Sequence, residues 1–343
     1  MIFRQLFDHE SYTYTYLLGD EHSHEAVIID PVLNKVDRYI QLFKELDLKL
    51  VKAVDTHLHA DHITGLGALR DRTRCITVMG EQSKADIISV RIKDGDRICV
   101  NGIDLEVIYT PGHTDDSYCY KLDNRLFTGD TLLIRGTGRT DFQNGNSADQ
   151  YDSLFNKILT LPEDTLVYPG HDYKGDTVST IGEEKRYNPR LQVDSKQAYI
   201  DLMDNLGLDN PKMMDVAVPN NMRIGLSQET IANKGWAVDA AQALQPRHRP
   251  DFLFIDLRDT WEQNKYGRIP NSLHLPYPDL EQALLPGAQL QDLNSQGKQL
   301  LFYCAYGERS AMAVEAAHAA GLENSVHLTG GIESWKNAGG EIE

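Results

Sequence analysis

Thr56-His57-Leu58-His59-Ala60-Asp61-His62 places three histidines and an aspartate on one short stretch, directly after an apolar run at residues 50–56. An apolar run of that length reads as a buried strand, so the cluster sits on the loop at its end. Imidazole and carboxylate donors at this density suit a borderline divalent metal such as iron, zinc or manganese. Working outward, Pro111-Gly112-His113-Thr114 follows the strand-like run at 103–109. Thr128-Gly129-Asp130 ends another run at 125–127, and Pro169-Gly170-His171 ends a third at 165–168. Each motif alone is weak. Four of them in order, each closing an apolar run, describe a metal site assembled at strand ends.

The surrounding pattern alternates strands and helices. Residues 26–30 and 117–122 read as further strands, and 37–46, 150–159 and 195–206 as helices. Residues 207–250 are irregular, rich in Asn, Pro and Gly, and end in the basic, polar Pro246-Arg247-His248-Arg249-Pro250. The domain junction is expected there, with residues 1–206 as the first domain and 207–250 as a connecting region. A compact α/β pattern at 251–343 forms the second domain: strands at 251–257, 300–304 and 326–328, with an Ala-rich helix at 311–320.

Length and composition agree with two globular domains. The 343 residues are 41% hydrophobic and 25% charged, and 34 Lys+Arg against 51 Asp+Glu give a formal charge of −17. Such a balance argues against nucleic acid or an anionic membrane as partner, because no broad basic surface is available. The N-terminal stretch lacks the features of a signal peptide, and no apolar run is long enough for a bilayer. Cys75, Cys99, Cys119 and Cys304 form no CxxC pair, so a cytoplasmic chain with reduced thiols is expected.

The order THxHxDH, PGHT, TGD, PGH resembles the metallo-β-lactamase superfamily, in its glyoxalase II-like branch, over residues 1–206. The resemblance implies an αββα sandwich with the metal at one edge. Two chemistries fit these residues. In a hydrolytic member His57, His59 and His113 hold one zinc, Asp61, His62 and His171 hold the other, and Asp130 bridges. In the persulfide dioxygenase branch one Fe(II) per chain is bound by His57, His113 and Asp130. That two-His-one-carboxylate set leaves positions open for a persulfide and O₂, and His59, Asp61, His62 and His171 then become supporting groups around it. Residues 132–142, Leu-Leu-Ile-Arg-Gly-Thr-Gly-Arg-Thr-Asp-Phe, resemble the dioxygenase branch more closely. On that reading Arg139 pairs with a carboxylate of a glutathione-like substrate, and Tyr173 is a second substrate contact.

Farther along, a strand ends at Cys304 and a helix begins after Ala305-Tyr306-Gly307-Glu308-Arg309-Ser310. A thiol at such a junction faces backbone N–H groups and the positive helix end, an environment suited to a sulfur nucleophile. Together with residues 254–258 (Phe-Ile-Asp-Leu-Arg), 267–272 and the closing Gly330-Gly331-Ile332-Glu333-Ser334-Trp335, this resembles a single-domain rhodanese with a parallel sheet. Asp256 and Arg258 are expected to pair, and Arg309 to attract an anionic sulfur donor such as thiosulfate. A phosphatase loop needs Cys-x5-Arg, and here Arg309 comes one residue too early.

The two resemblances share persulfide and sulfite as intermediates. Together they imply a persulfide dioxygenase that oxidises glutathione persulfide, or a similar thiol persulfide, with O₂ to sulfite and thiol. It is coupled to a sulfurtransferase exchanging sulfur among thiosulfate, sulfite and thiol through Cys304, and a homodimer is a further expectation. The alternatives are a two-zinc thioester hydrolase fused to a rhodanese, and a sulfur carrier whose first domain is idle.

Overall fold

The structure is a computed structural model; it describes residues 1–86, 88–208, 213–224, 228–245 and 252–343. The chain divides into two units, one of residues 1–86 and 90–224, the other of 225–343 with 87–89.

In the first unit two six-stranded sheets face each other. One runs in order through Ile2–Asp8, Thr13–Gly19, Glu25–Ile29, Lys49–Val54, Ile76–Gly80 and Val90–Ile92. The other runs Ser179–Thr180, Leu166–Pro169, Arg125–Gly129, Tyr118–Leu122, Ile103–Tyr109, Arg97–Val100. Aromatic rings lock the sheets together: Phe127 lies 4.9 Å from Tyr16 and 6.3 Å from Phe3. Such pairs add to the burial that drives the packing. Helices Val36–Glu45 and Leu66–Thr73 pack on the first sheet. On the second sheet's outer side Leu154 of helix Ser147–Asn156 and Tyr199 and Met203 of helix Lys196–Asp204 form a core with Leu126 and Val167. The result is the expected αββα layering. Its strands end at one edge, where the histidine loops emerge.

Most elements read from periodicity are present within a residue or two, and the strand expected at 103–109 is Ile103–Tyr109. Periodicity missed Thr13–Gly19, whose seven residues are all buried and therefore show no alternation.

The second unit is a five-stranded, wholly parallel sheet in the order Ala237–Val238, Ser325–Leu328, Gln299–Tyr303, Phe252–Asp256, Leu273–His274. Each face buries a core, one built on Ile255, Leu300 and Phe302, the other on Phe254, Leu301 and Tyr303. Alternation along the parallel strands sends successive side chains to opposite faces. The connecting region at 207–250 is corrected in part. Its residues Ala237–Val238 pair with Ser325–Leu328 as an edge strand, and Ala240 and Ala243 join the second core. A two-residue strand carries no readable period, so only pairing reveals it. The junction expected at 246–250, and residue 251 of the expected strand, lie outside the described residues. No described helix is long and apolar enough to cross a membrane.

Candidate active sites

In the first unit the four motifs converge. The ligand atoms of His57, His113 and Asp130 lie within 4.8 Å of one another, and so do those of His59, Asp61 and His62. Gly129 adopts φ +47°, and a Cβ there would meet Thr56 Oγ1 at 2.5 Å. Only glycine therefore turns the chain so that Asp130 enters beside the histidine loop. Gly138 is pressed against the His113 ring, where a Cβ would come within 2.7 Å of Nδ1.

The histidine tautomers follow from their partners. His113 Nδ1–H donates to the Arg139 carbonyl oxygen at 2.6 Å, so the neutral ring has its bare nitrogen at Nε2, 3.5 Å from Asp130 Oδ2. Thr56 donates its hydroxyl proton to Asp30 Oδ2 at 2.9 Å, so its oxygen accepts from His57 Nδ1 at 2.9 Å. Both rings thus carry a bare Nε2, and burial drives His57 well below the ordinary imidazole value. A neutral imidazole with its second nitrogen anchored is the form that binds a metal. Asp130 Oδ1 is buried without a hydrogen-bond partner among the described residues, a costly state that a cation relieves. The donor set fits a metal ion.

Around this triad the remaining groups form a charged surround. His171 Nδ1–H donates to the Tyr12 carbonyl at 3.2 Å, and Nε2 lies 3.5 Å from Asp61 and 3.6 Å from Asp130. Burial pushes His171 down, but Asp130 and Asp61 outweigh it and lift it to about 10. Burial also pushes Asp61 up, yet His171 and His62 hold it well below the usual carboxylate range. His62 Nδ1 lies 2.8 Å from Asp61 Oδ2, and His59 Nε2 lies 3.2 Å from Asp30. His59 Nδ1 and His62 Nε2 have no hydrogen-bond partner among the described residues.

A cavity of about 600 Å³ opens onto these ligands and is walled by Tyr12, Arg139, Phe142, Tyr173 and Arg190 among others. Arg139 lines it, and its Nε and Nη2 donate to Asp141 at 2.6 Å. Tyr173 stands at the mouth, two-thirds exposed, with its ring 5.3 Å from Tyr12 and 6.1 Å from His171. Arg190 was not singled out from sequence, where nothing distinguishes it from a surface arginine. Its guanidinium donates to the Thr137 carbonyl and hydroxyl, with no carboxylate partner among the described residues. Asp30 and Thr56 were missed as well: their roles appear only through the histidines they contact, Thr56 with His57 and Asp30 with Thr56 and His59.

In the second unit Cys304 follows strand Gln299–Tyr303, and helix Glu308–Ala319 starts just beyond it. The Gly307 N–H donates to Cys304 Sγ at 3.1 Å, and Ser310 Oγ lies 3.9 Å from the sulfur. Arg258 pairs with Asp256 through two bonds of 2.9 and 2.7 Å, both side chains buried. The expectation for Arg309 is corrected. Its guanidinium is fully buried, and Nη1 and Nη2 each donate to Glu262 at 2.8 Å. Fully buried and held by both Glu262 oxygens, Arg309 presents no open face to an anion; it ties its helix to helix Thr260–Tyr266, which carries Glu262.

Comparison with known proteins places both units in known families. Residues 10–171 match the metallo-beta-lactamase superfamily model and 239–338 the rhodanese-like domain model. A mouse protein named persulfide dioxygenase ETHE1, mitochondrial, is 50% identical over 229 residues, covering 66% of this chain and 89% of that relative. The crystal structure of ETHE1 from Myxococcus xanthus is 56% identical with a TM-score of 0.64, covering 65% of this chain and 98% of its own. A metallo-beta-lactamase structure from Staphylococcus aureus, at 22% identity and a TM-score of 0.61, covers 96% of this chain and 98% of its own and shares the fold. The chain belongs to the persulfide dioxygenase family of the metallo-β-lactamase superfamily and carries a rhodanese-like domain behind it.

Proposed function

We propose that the first unit oxidises glutathione persulfide, or a closely similar thiol persulfide, according to RSSH + O₂ + H₂O → RSH + SO₃²⁻ + 2H⁺. The observation that carries this reading is the cluster of His57, His113 and Asp130 lining the cavity, with both imidazoles anchored through Nδ1. An iron(II) ion held there, one per chain, would supply the redox chemistry that O₂ requires. The chain's own part is binding and orientation. Arg190 offers a cation without a carboxylate partner among the described residues for a substrate carboxylate, Arg139 offers a second shared with Asp141, and Tyr173 covers the mouth. His171 Nε2, 3.5 Å from Asp61 and 3.6 Å from Asp130, is placed to hydrogen-bond oxygen or sulfur anions that approach the triad.

The second unit transfers sulfane sulfur. The Cys304 thiolate attacks the outer sulfur of thiosulfate, the new S–S bond forms as the old one breaks, and its electron pair leaves with sulfite. A thiolate acceptor then takes the sulfur and frees Cys304, and each step runs in either direction. Reduced cysteines support a cytoplasmic setting, and a homodimer is read by sedimentation.

The experiment is O₂ uptake by anaerobically iron-loaded protein given glutathione persulfide, with sulfite and bound metal quantified. Uptake matched by sulfite at about one iron per chain supports the reading. The second cluster, His59, Asp61 and His62, favours one rival. Two zinc ions per chain, no uptake and thioester cleavage would replace the dioxygenase with that hydrolase.

A further inference from the structure

Strand Ser325–Leu328 carries a histidine with no evident reason to be there. His327 is fully buried between apolar neighbours, where a valine or leucine would pack at less cost. Its Nε2 has no hydrogen-bond partner among the described residues. Its Nδ1 lies 3.3 Å from Ser310 Oγ, and Ser310 Oγ in turn lies 3.9 Å from Cys304 Sγ. We propose that His327 is a positioning residue for the sulfur-transfer step, holding the Ser310 hydroxyl so that it donates to the Cys304 sulfur whenever that sulfur is an anion, as thiolate or as persulfide.

The proton arrangement follows from the contacts. Ser310 Oγ can also donate to the Gly307 carbonyl at 3.1 Å. When His327 Nδ1–H donates to the serine oxygen, the serine's single proton is left for either the Gly307 carbonyl or Cys304 Sγ. A neutral thiol leaves it on the carbonyl; an anionic sulfur draws it over, joining the Gly307 N–H already 3.1 Å away. The arrangement requires a neutral imidazole, and burial holds His327 far down, at about 4. The charged and titratable groups on the elements packed around it are otherwise committed. Arg309 is neutralised by Glu262, Glu315 pairs with Lys234, His318 bonds the Ser325 carbonyl, and Glu308 is buried at the helix start. No protons or electrons are consumed: the relay only redistributes hydrogen bonds between thiol, thiolate and persulfide states.

This rests on the sulfurtransferase reading, and the test separates the two. In full-length protein, the pH dependence of Cys304 alkylation by iodoacetamide is measured for wild type, Ser310→Ala, His327→Val, His327→Gln and the Ser310→Ala/His327→Val double variant. Thiosulfate sulfurtransferase kinetics are measured in parallel, and the melting transition of the second unit serves as the folding control. His327→Val and Ser310→Ala should each move the alkylation profile to higher pH and lower kcat about two- to tenfold with KM unchanged. The double variant should be no worse than Ser310→Ala, and His327→Gln, whose amide still donates, should stay near wild type. An unshifted His327→Val profile, additive losses, or a His327→Gln as impaired as the valine variant would overturn the relay. If His327→Val does not fold, Ser310→Ala unshifted or His327→Gln strongly shifted would overturn it equally. Wild-type protein that alkylates normally but transfers no sulfur from thiosulfate would instead defeat the sulfurtransferase reading.

Discussion

The carbonyl oxygen of Arg139 receives the Nδ1–H of His113 at 2.6 Å, so one residue anchors a candidate metal ligand with its backbone while its side chain faces the cavity. These two functions separate by mutation. Arg139→Ala should leave metal content near wild type, because the carbonyl survives. KM for the persulfide should rise about tenfold with a smaller change in kcat, as expected for loss of a charge-assisted contact. Metal analysis beside steady-state kinetics checks it; a collapse of metal content would refute this division.

Arg190 should behave as the stronger anchor. Having only Thr137 as partner among the described residues, it has more to give a substrate carboxylate. Arg190→Ala should raise KM about 10- to 100-fold, and Arg190→Lys should recover only part of that because the bidentate fork is lost.

Thr56→Val cuts the chain from Asp30 through Thr56 to His57 without touching a ligand. Metal affinity should fall about 10- to 100-fold, measured by competition with a chromophoric chelator. Full chelation of the wild type should abolish O₂ uptake while leaving Cys304 sulfur transfer intact.

Glu262→Ala strands the buried Arg309 charge. The second unit should lose about 3–5 kcal/mol, visible as an early melting transition, with the first unit's transition unmoved. Glu262→Gln should cost less.

His327 makes the second unit acid-labile. Folded, it takes a proton only near 4, because burial opposes the charge; unfolded, it takes one near its ordinary value of 6.5. The unfolded chain therefore binds the proton first as pH falls. Stability is complete above about pH 6.5, declines from there to about pH 4, and loses about 3 kcal/mol at most. His327→Val should flatten that window in urea titrations between pH 7 and 4. An unchanged slope would show that other groups govern it.

The donor residues were legible because metal chemistry restricts residue type and because glycine turns and strand ends recur at readable spacing. His57, His113 and Asp130 needed only local motifs to be singled out, and so did Cys304. Arg190 and Thr56 were not legible, since arginine and threonine are common and their partners Thr137 and Asp30 lie far along the chain. The edge strand Ala237–Val238 was hidden in an irregular stretch because pairing with Ser325–Leu328, and no pattern of its own, makes it a strand.

By itself the sequence determined the chemistry on offer: which atoms can bind a metal, which thiol can carry sulfur, and which apolar runs must be buried to make two α/β units. The tertiary structure alone decided how those atoms are used. A carbonyl 26 residues from His113 sets its tautomer, and a glutamate 47 residues from Arg309 removes its charge from play. The reason is physical: protonation and charge depend on burial and on neighbours within a few ångströms, and only the folded chain brings those neighbours together.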